Sequence, residues 1–428
     1  MLNMIKKGLK IGDEVMVTTS SGTIFGKLMP SSSKYVMLKL SSGYNISLKN
    51  KDIKKIKLVK KMRRKEGKNI KIKHKKGLPK ISILHTGGTI ASKVNYETGG
   101  VIASFSAKEL LNMFPELGKV VNVSSREVFN IMSEDLRFKH YKKLAKEIVK
   151  DIKNKVDGII VGHGTDTLAI TASALDFMFE KLPIPLILVG SQRSSDRGSS
   201  DANMNLVCAA EFIKQSDFVG VAICMHENMS DNNCVILPAT KTRKLHTSRR
   251  DAFKAVNVKP LARINYKNKK IEYLDYKTRY KEKVSLKDKF EEKVGIIKVY
   301  PNISKDVFEV FRKKKYKGLI LEGSGIGQAP TNIKENLPIH EELKKFIKSG
   351  GIVVMTSQCI FGRVHPNIYT NCRRLADIGV IYAEDMLTET AFIKLAWLLG
   401  NYKKNVKEMV GINLRGEIAE RIKEDFLR

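Results

Sequence analysis

The 428-residue sequence predicts an α/β protein: a two-lobed, parallel-sheet body preceded by a small β-barrel of the SH3-like kind. Three observations carry that expectation. From Leu78 onward, apolar runs of strand length alternate with amphipathic helical stretches, the element order of a parallel sheet. Ahead of that point, residues 11–59 read as four or five short strands parted by Ser-Gly turns, and closing so little chain into a barrel is the economical way to remove free edges. A charged, weakly periodic stretch at 264–291 then splits the body in two. The expected domains are 1–76 (barrel and basic linker), 77–263 (first lobe), 264–291 (connection) and 292–428 (second lobe and a terminal helix).

In the front module Val15, Val17 and Thr19 alternate, Ser21-Gly22 turns the chain, and Ile24 and Phe25 resume it. Tyr35 to Leu40 forms another run, Ser42-Gly43 another turn, and Ile46 and Leu48 a further strand. The net charge of +34 is concentrated here: residues 1–76 hold 21 Lys and Arg against four acids. Such asymmetry points to a polyanion such as nucleic acid, with a lysine-rich composition as the bland alternative. Docking of a protein or of RNA suits this module better than catalysis. Residues 60–76, with Glu66 as their single acid, read as a basic linker, either a solvated spacer or a phosphate contact.

In the body, candidate strands are Ile81–Leu84, Gly158–Val161, Leu186–Val189 and Val219–Cys224. A helix near 136–153 puts Tyr141, Leu144, Ile148 and Ile152 on one face. Another follows Asp166, and a third begins near Asp201 as its N-cap. After the connection come strands Val294–Val299, Gly318–Leu321 and Ile352–Thr356, and a helix Glu341–Lys348 stopped by Gly350. Phe392 to Leu399, with the single tryptophan Trp397, reads as a buried helical segment, and Asn405–Arg428 as a charged amphipathic helix.

Several classes are excluded or disfavoured. No run of 18 apolar residues predicts a membrane span, and Lys6, Lys7 and Lys10 interrupt any signal-peptide core. Five cysteines without C-x-x-C spacing fit reduced thiols, so a cytoplasmic location is expected and neither a disulfide framework nor a metal site is. No G-x-G-x-x-G follows the first body strand and no G-x-x-x-x-G-K-[ST] occurs, so no nucleotide cofactor is expected on this chain.

Two stretches then stand out, His85-Thr86-Gly87-Gly88-Thr89-Ile90 and Gly162-His163-Gly164-Thr165-Asp166-Thr167. Each begins where an apolar strand stops, and ligand sites of parallel sheets lie at carboxyl ends of strands. A threonine hydroxyl needs a base to become a nucleophile. Glycines let backbone N–H groups approach a developing oxyanion. Taken singly, Thr165 could be a cap, Asp166 a first-turn acid and Lys241 a solvated charge.

The two ordered motifs, Thr86 to Ala91 and His163 to Thr167, resemble the signatures of the L-asparaginase and amidohydrolase family. Asn95-Tyr96, Asn130 to Asp135, Val189 to Arg193 and Thr240-Lys241-Thr242 follow the family order, and the resemblance covers roughly residues 79–400. It implies an asparaginase-like fold and a set of roles. Thr89 would be the nucleophile and Tyr96 would sit on a lid above it. Thr165, Asp166 and Lys241 would form the second constellation, with Lys254 the competing lysine. Ser133 and Glu134 would hold the α-carboxylate and α-amino groups, and His85 and His163 would have no catalytic role. A neighbouring subunit's second lobe supplies an acid in asparaginases, yet Ser357–Ala376 contains no Asp or Glu, which leaves asparagine and glutamine both open.

The barrel and linker add a second resemblance, to the asparaginase-like D-type subunit of archaeal-type glutamyl-tRNA(Gln) amidotransferases. It implies a protein that hydrolyses glutamine and passes ammonia to a partner, the E-type subunit of the amidotransferase, which activates Glu-tRNA(Gln). No cofactor belongs to this chain on that view; ATP and Mg belong to the partner. The assembly implied is a homodimer within a heterotetramer, with tRNA(Gln) held through or near the partner. The competing expectation is a stand-alone cytoplasmic L-asparaginase with an accessory barrel.

Overall fold

The computed structural model describes residues 8–31, 34–41, 45–61, 75–88, 90, 92–94, 101–103, 107–193, 199–276 and 282–421. The front module is a five-stranded antiparallel sheet built from Glu14–Thr19, Gly22–Met29, Tyr35–Lys39, Asn45–Lys49 and Ile53–Lys60. In space the fourth strand lies beside the third, then second, first and fifth. The two outer strands are joined by the tight turn Asn50–Asp52, which brings the ends of the ladder together. Alternation sends Val15, Val17, Leu28, Val36 and Leu38 into a small core of its own.

The first lobe is built on an eight-stranded mixed sheet. Its parallel part runs, side by side, Asn122–Glu127, Lys80–His85, Gly158–Gly162, Pro185–Val189 and Gly220–His226. Asn233–Pro238, Ala262–Asn265 and Ile271–Tyr273 continue it in antiparallel fashion. The central strands are buried throughout, which is why they read as unbroken apolar runs. After Lys80–His85 the chain adds Asn122–Glu127 on one side and then returns to add Gly158–Gly162 on the other. That reversal opens a crevice between the two strands carrying the threonine motifs.

The helix expected near 136–153 is Phe138–Lys153, with Tyr141, Leu144 and Ile148 buried. The residues expected to be a plain connection at 264–291 are partly sheet: Ile271–Tyr273 joins the large sheet, and Ser285–Leu286 pairs with Phe179–Lys181.

The second lobe has a four-stranded parallel sheet, Val294–Lys298, Gly318–Gly323, Ile352–Ser357 and Ile381–Tyr382. Its helix Leu337–Lys348 starts earlier than the sequence suggests, because Pro338 sits in the first turn, where a missing N–H costs nothing. Thr388–Asn401 buries Trp397 against Phe177 of the first lobe, ring centroids 5.7 Å apart. One apolar cluster contains residues of both lobes, from Leu84 to Val410.

The long C-terminal helix expected over Asn405–Arg428 is not what forms. Helix is confined to Val406–Val410, and 411–421 is irregular. Glu417 explains the break: its buried carboxylate accepts the N–H groups of Leu414 and Arg415 and pairs with Lys394 at 2.6 Å. An acid turned inward onto its own backbone cannot lie on a solvated helix face. Residues 422–428 lie outside the described residues. Among those described, no helix is long and apolar enough to cross a membrane.

Candidate active site

The site begins with sheet register. Gly162 lies opposite both His85 and Val189, so the loops starting at Thr86, His163 and Gly190 leave three adjacent parallel strands at one level. Thr86 donates twice to the Gly162 carbonyl, from its N–H and from its hydroxyl, each at 3.0 Å. Ile131 N–H donates to the Thr86 carbonyl at 3.1 Å. Gly87 and Gly88 have φ of 110° and 81°, the left-handed region. A Cβ on Gly87 would stand 2.3 Å from the Ile131 oxygen, and one on Gly88 would stand 2.4 Å from the Gly164 Cα. Gly88 is therefore needed for the two motifs to touch, and Gly87 for the first motif to lie against Ile131.

On the second motif, Lys244 donates to the Thr165 hydroxyl at 2.9 Å and to the Asp166 carboxylate at 2.7 Å. The Lys244 side chain is 13% exposed and that of Asp166 is 65% exposed, so the ammonium is drawn in while the carboxylate faces solvent. Lys244 ends the strand Thr242–Lys244, which pairs with Phe253–Ala255. A fixed ammonium against a hydroxyl lowers the cost of the alkoxide and so favours proton loss.

This corrects the expectation for Lys241. Its ammonium is completely buried and donates to the Asp385 carboxylate at 2.6 Å and to the Asp385 carbonyl at 2.8 Å. Burial lowers its pKa, opposed by the charge of Asp385. Lys241 thus ties the first lobe to the second, while Lys244 meets the Thr165–Asp166 pair. Lys254 donates to the Glu227 carbonyl and is not hydrogen-bonded to that pair either. No local pattern separates lysines three residues apart in one short stretch; the strand start at Thr242 does.

Of the other expected site residues, Thr89 and Tyr96 lie outside the described residues. Ser133 is buried in the turn Ser133–Asp135, where its Oγ lies 2.9 Å from where a Cβ on Gly164 would be. The Thr167 hydroxyl donates to the Ser133 carbonyl at 2.7 Å. Glu134 is exposed beside it. His163 is spent internally, its ring nitrogens on the Gly164 carbonyl and the Thr171 hydroxyl. His85 bonds Ser125 at 2.9 Å. Burial lowers both imidazole pKa values to about 4. Neither is charged at neutral pH.

Two contacts were not legible beforehand. Gln192 accepts the Thr165 hydroxyl at 3.3 Å. Asp201 stands at the N-cap of the helix Ala202–Gln215 as expected, but its carboxylate turns back and accepts the Ser191 hydroxyl and the N–H groups of Gln192 and Arg193. A wholly buried carboxylate takes the donors that satisfy it best. Beside Asp166 and Lys244 lies a cavity of about 140 Å³ that reaches Glu389 and Thr390 of the second lobe. Among the described residues, no group of His, Cys, Asp and Glu could hold a metal ion.

Known proteins match this arrangement along the whole chain. Residues 80–279 match the family described as asparaginase, N-terminal, and 293–410 the glutaminase/asparaginase C-terminal domain. Residues 9–59 match the GatD N-terminal domain. The chain is 42% identical to the D-type subunit of glutamyl-tRNA(Gln) amidotransferase, GatD, of Thermococcus kodakarensis, over 99% of this chain and 98% of that protein. The Pyrococcus abyssi protein of the same name is also 42% identical, over 97% and 96%. Among solved structures, the thermostable L-asparaginase from Thermococcus kodakarensis superposes with a TM-score of 0.71 at 29% identity, covering 80% of this chain and all of that one. L-asparaginase I from Vibrio cholerae gives 0.69 at 30% identity, over 80% and 99%. The chain belongs to the GatD family of glutamyl-tRNA(Gln) amidotransferase subunits, in which an asparaginase-type body stands behind a GatD N-terminal domain.

Proposed function

We propose that this chain hydrolyses glutamine and supplies the ammonia that converts Glu-tRNA(Gln) to Gln-tRNA(Gln). The observation that carries the reading is the constellation Lys244–Thr165–Asp166 at the crevice of the first lobe, in a chain that matches GatD relatives over their whole length. The alternative, a stand-alone L-asparaginase, accounts for less: a complete asparaginase covers 80% of this chain and leaves a fifth over.

In the proposed reaction a threonine hydroxyl, Thr89 by family resemblance, adds to the side-chain amide carbon and gives up its proton. The C–N bond breaks, ammonia leaves with the proton it needs, and water hydrolyses the ester to glutamate. The Thr165 hydroxyl carries a proton through this sequence, and the Lys244 ammonium stabilises it when the proton is away. Lys244, not Lys241, takes the lysine role. Ser133 and Glu134 bind the amino-acid head, and Tyr96 closes over it.

The partner, the E-type subunit of the amidotransferase, binds and activates the mischarged tRNA(Gln) with ATP and Mg, and this chain needs no cofactor. Ammonia is mostly protonated at neutral pH, so a water-excluding connection between the two sites preserves the nucleophilic form. A cytoplasmic homodimer within a heterotetramer suits this role. The deciding assay is ammonia release from glutamine and asparagine, with and without partner and Glu-tRNA(Gln). We expect weak glutamine hydrolysis until both are added. Fast asparagine hydrolysis by the isolated chain would overturn the reading in favour of the asparaginase.

A further inference from the structure

We propose that Gln192 is a positioning and substrate-binding residue of this site: its amide oxygen fixes where the Thr165 proton points, and its amide N–H donates to an oxygen of the bound substrate. Hydrogen-bond capacity sets the first of these duties. A threonine hydroxyl has one proton and two lone pairs, whereas an ammonium can only donate. Lys244, 2.9 Å away, therefore occupies a lone pair of Thr165, and the proton must go elsewhere. Gln192 Oε1, at 3.3 Å, receives it.

That requirement also fixes which way the carboxamide faces, a choice that hydrogen-bond logic has to make. With Oε1 on Thr165, Nε2 points away from that hydroxyl, and it is buried with no hydrogen-bond partner among the described residues. Folded proteins keep few such groups. This one does not arise from a loose loop. Asp201 clamps the backbone on both sides of the side chain, through Gln192 N–H and Arg193 N–H at 3.0 Å each, and Asn205 Nδ2 at 3.2 Å holds Asp201 in turn. A donor is thus held beside the reacting hydroxyl with no acceptor among the described residues.

An amino-acid carboxamide brings acceptor oxygens of two kinds, the α-carboxylate and the amide carbonyl, and either satisfies Nε2. The identity of that ligand rests on the proposed hydrolase reading. Two substitutions separate the two duties of the side chain. Gln192→Glu keeps an oxygen for Thr165 and removes the N–H donor; Gln192→Met keeps the length and removes both.

The test is steady-state glutamine hydrolysis as a function of pH by the full-length chain with its partner protein, with calorimetric binding of glutamate alongside. Gln192→Met is expected to lower kcat about tenfold or more and to displace the pH profile, with an unchanged Tm. Gln192→Glu is expected to lose less kcat. If the acceptor is the α-carboxylate, this variant raises KM and weakens glutamate binding about tenfold; if it is the amide carbonyl, glutamate binding holds and kcat/KM falls. Wild-type kinetics in both variants, or equal losses in both accompanied by a lowered Tm, would overturn the proposal. Should the wild-type chain hydrolyse neither amide, the hydrolase reading fails by itself, and weakened glutamate binding by Gln192→Glu would still support a donor to the α-carboxylate, while unchanged binding would overturn that role.

Discussion

Lys241 and Lys244 lie three residues apart and do opposite work. The first is a buried cation compensated by Asp385, and removing one partner of such a pair leaves an uncompensated charge. The second holds a hydroxyl and a solvent-facing carboxylate. Lys241→Met is therefore expected to cost about 3–5 kcal/mol of stability in chemical denaturation. Lys244→Met is expected to leave the unfolding curve nearly unchanged and to lower kcat about 10²–10⁴-fold. If Lys241→Met abolished turnover at full stability, the roles would be reversed. At this scale the sequence was half legible. Thr165 and Asp166 carry their meaning in a motif, but the choice of lysine depends on which side chain a strand turns inward, and Gln192 shows nothing until its neighbour is in place.

Strands and loops were easier to read than helices and caps. Lys80–His85 and Gly158–Gly162 are buried on both faces, so their apolar runs leave little doubt about the element. Asp201 and Glu417 share a cause: Asp201 keeps its place at the helix start while its carboxylate binds N–H groups of the preceding loop, and Glu417 turns its carboxylate onto the backbone of its own turn instead of continuing a helix. The strand-end histidines give an element-level prediction. His85 and His163 stay neutral down to about pH 4 in the folded chain, against an ordinary value of 6.5. Between those limits the unfolded chain binds protons that the folded chain refuses. Stability should therefore fall as pH drops from about 6.5 toward 4, by up to about 3 kcal/mol per histidine. Urea unfolding at pH 7 and pH 5 measures the slope, and His85→Gln should flatten it. An unaltered slope would mean that His85 is protonated in the fold.

The molecule as a whole joins a basic front sheet to a hydrolase body. On the outer face of that sheet Lys55 and Lys57 are exposed and stand across the first strand from Thr18 and Met16, while Phe25, opposite Met16, is 60% exposed. Charge reversal by Lys55→Glu with Lys57→Glu should weaken association of the full chain with the tRNA-bearing complex. It should also flatten the dependence of log K on log salt, by roughly 0.7–0.9 for each phosphate that is no longer neutralised. Glutamine hydrolysis without RNA should be unaffected. An identical salt slope would make the +34 charge a matter of composition alone.

The clamp between Lys241 and Asp385 has a bearing on biosynthesis. The same Asp385 carboxylate also accepts the N–H of Ala419 at 2.9 Å, and Thr240 donates to the Arg415 carbonyl. A chain emerging from the ribosome completes its threonine motifs more than 200 residues before those contacts can form. Until then the Lys241 ammonium lacks its Asp385 counter-charge, while the turn that leads into Lys244 is already held within the first lobe, by the Thr242 hydroxyl on the Pro238 carbonyl and by pairing with Phe253–Ala255. Nascent chains stopped short of residue 385 therefore carry both motifs and Lys244 together with an uncompensated Lys241, a cost in stability that only the second lobe removes.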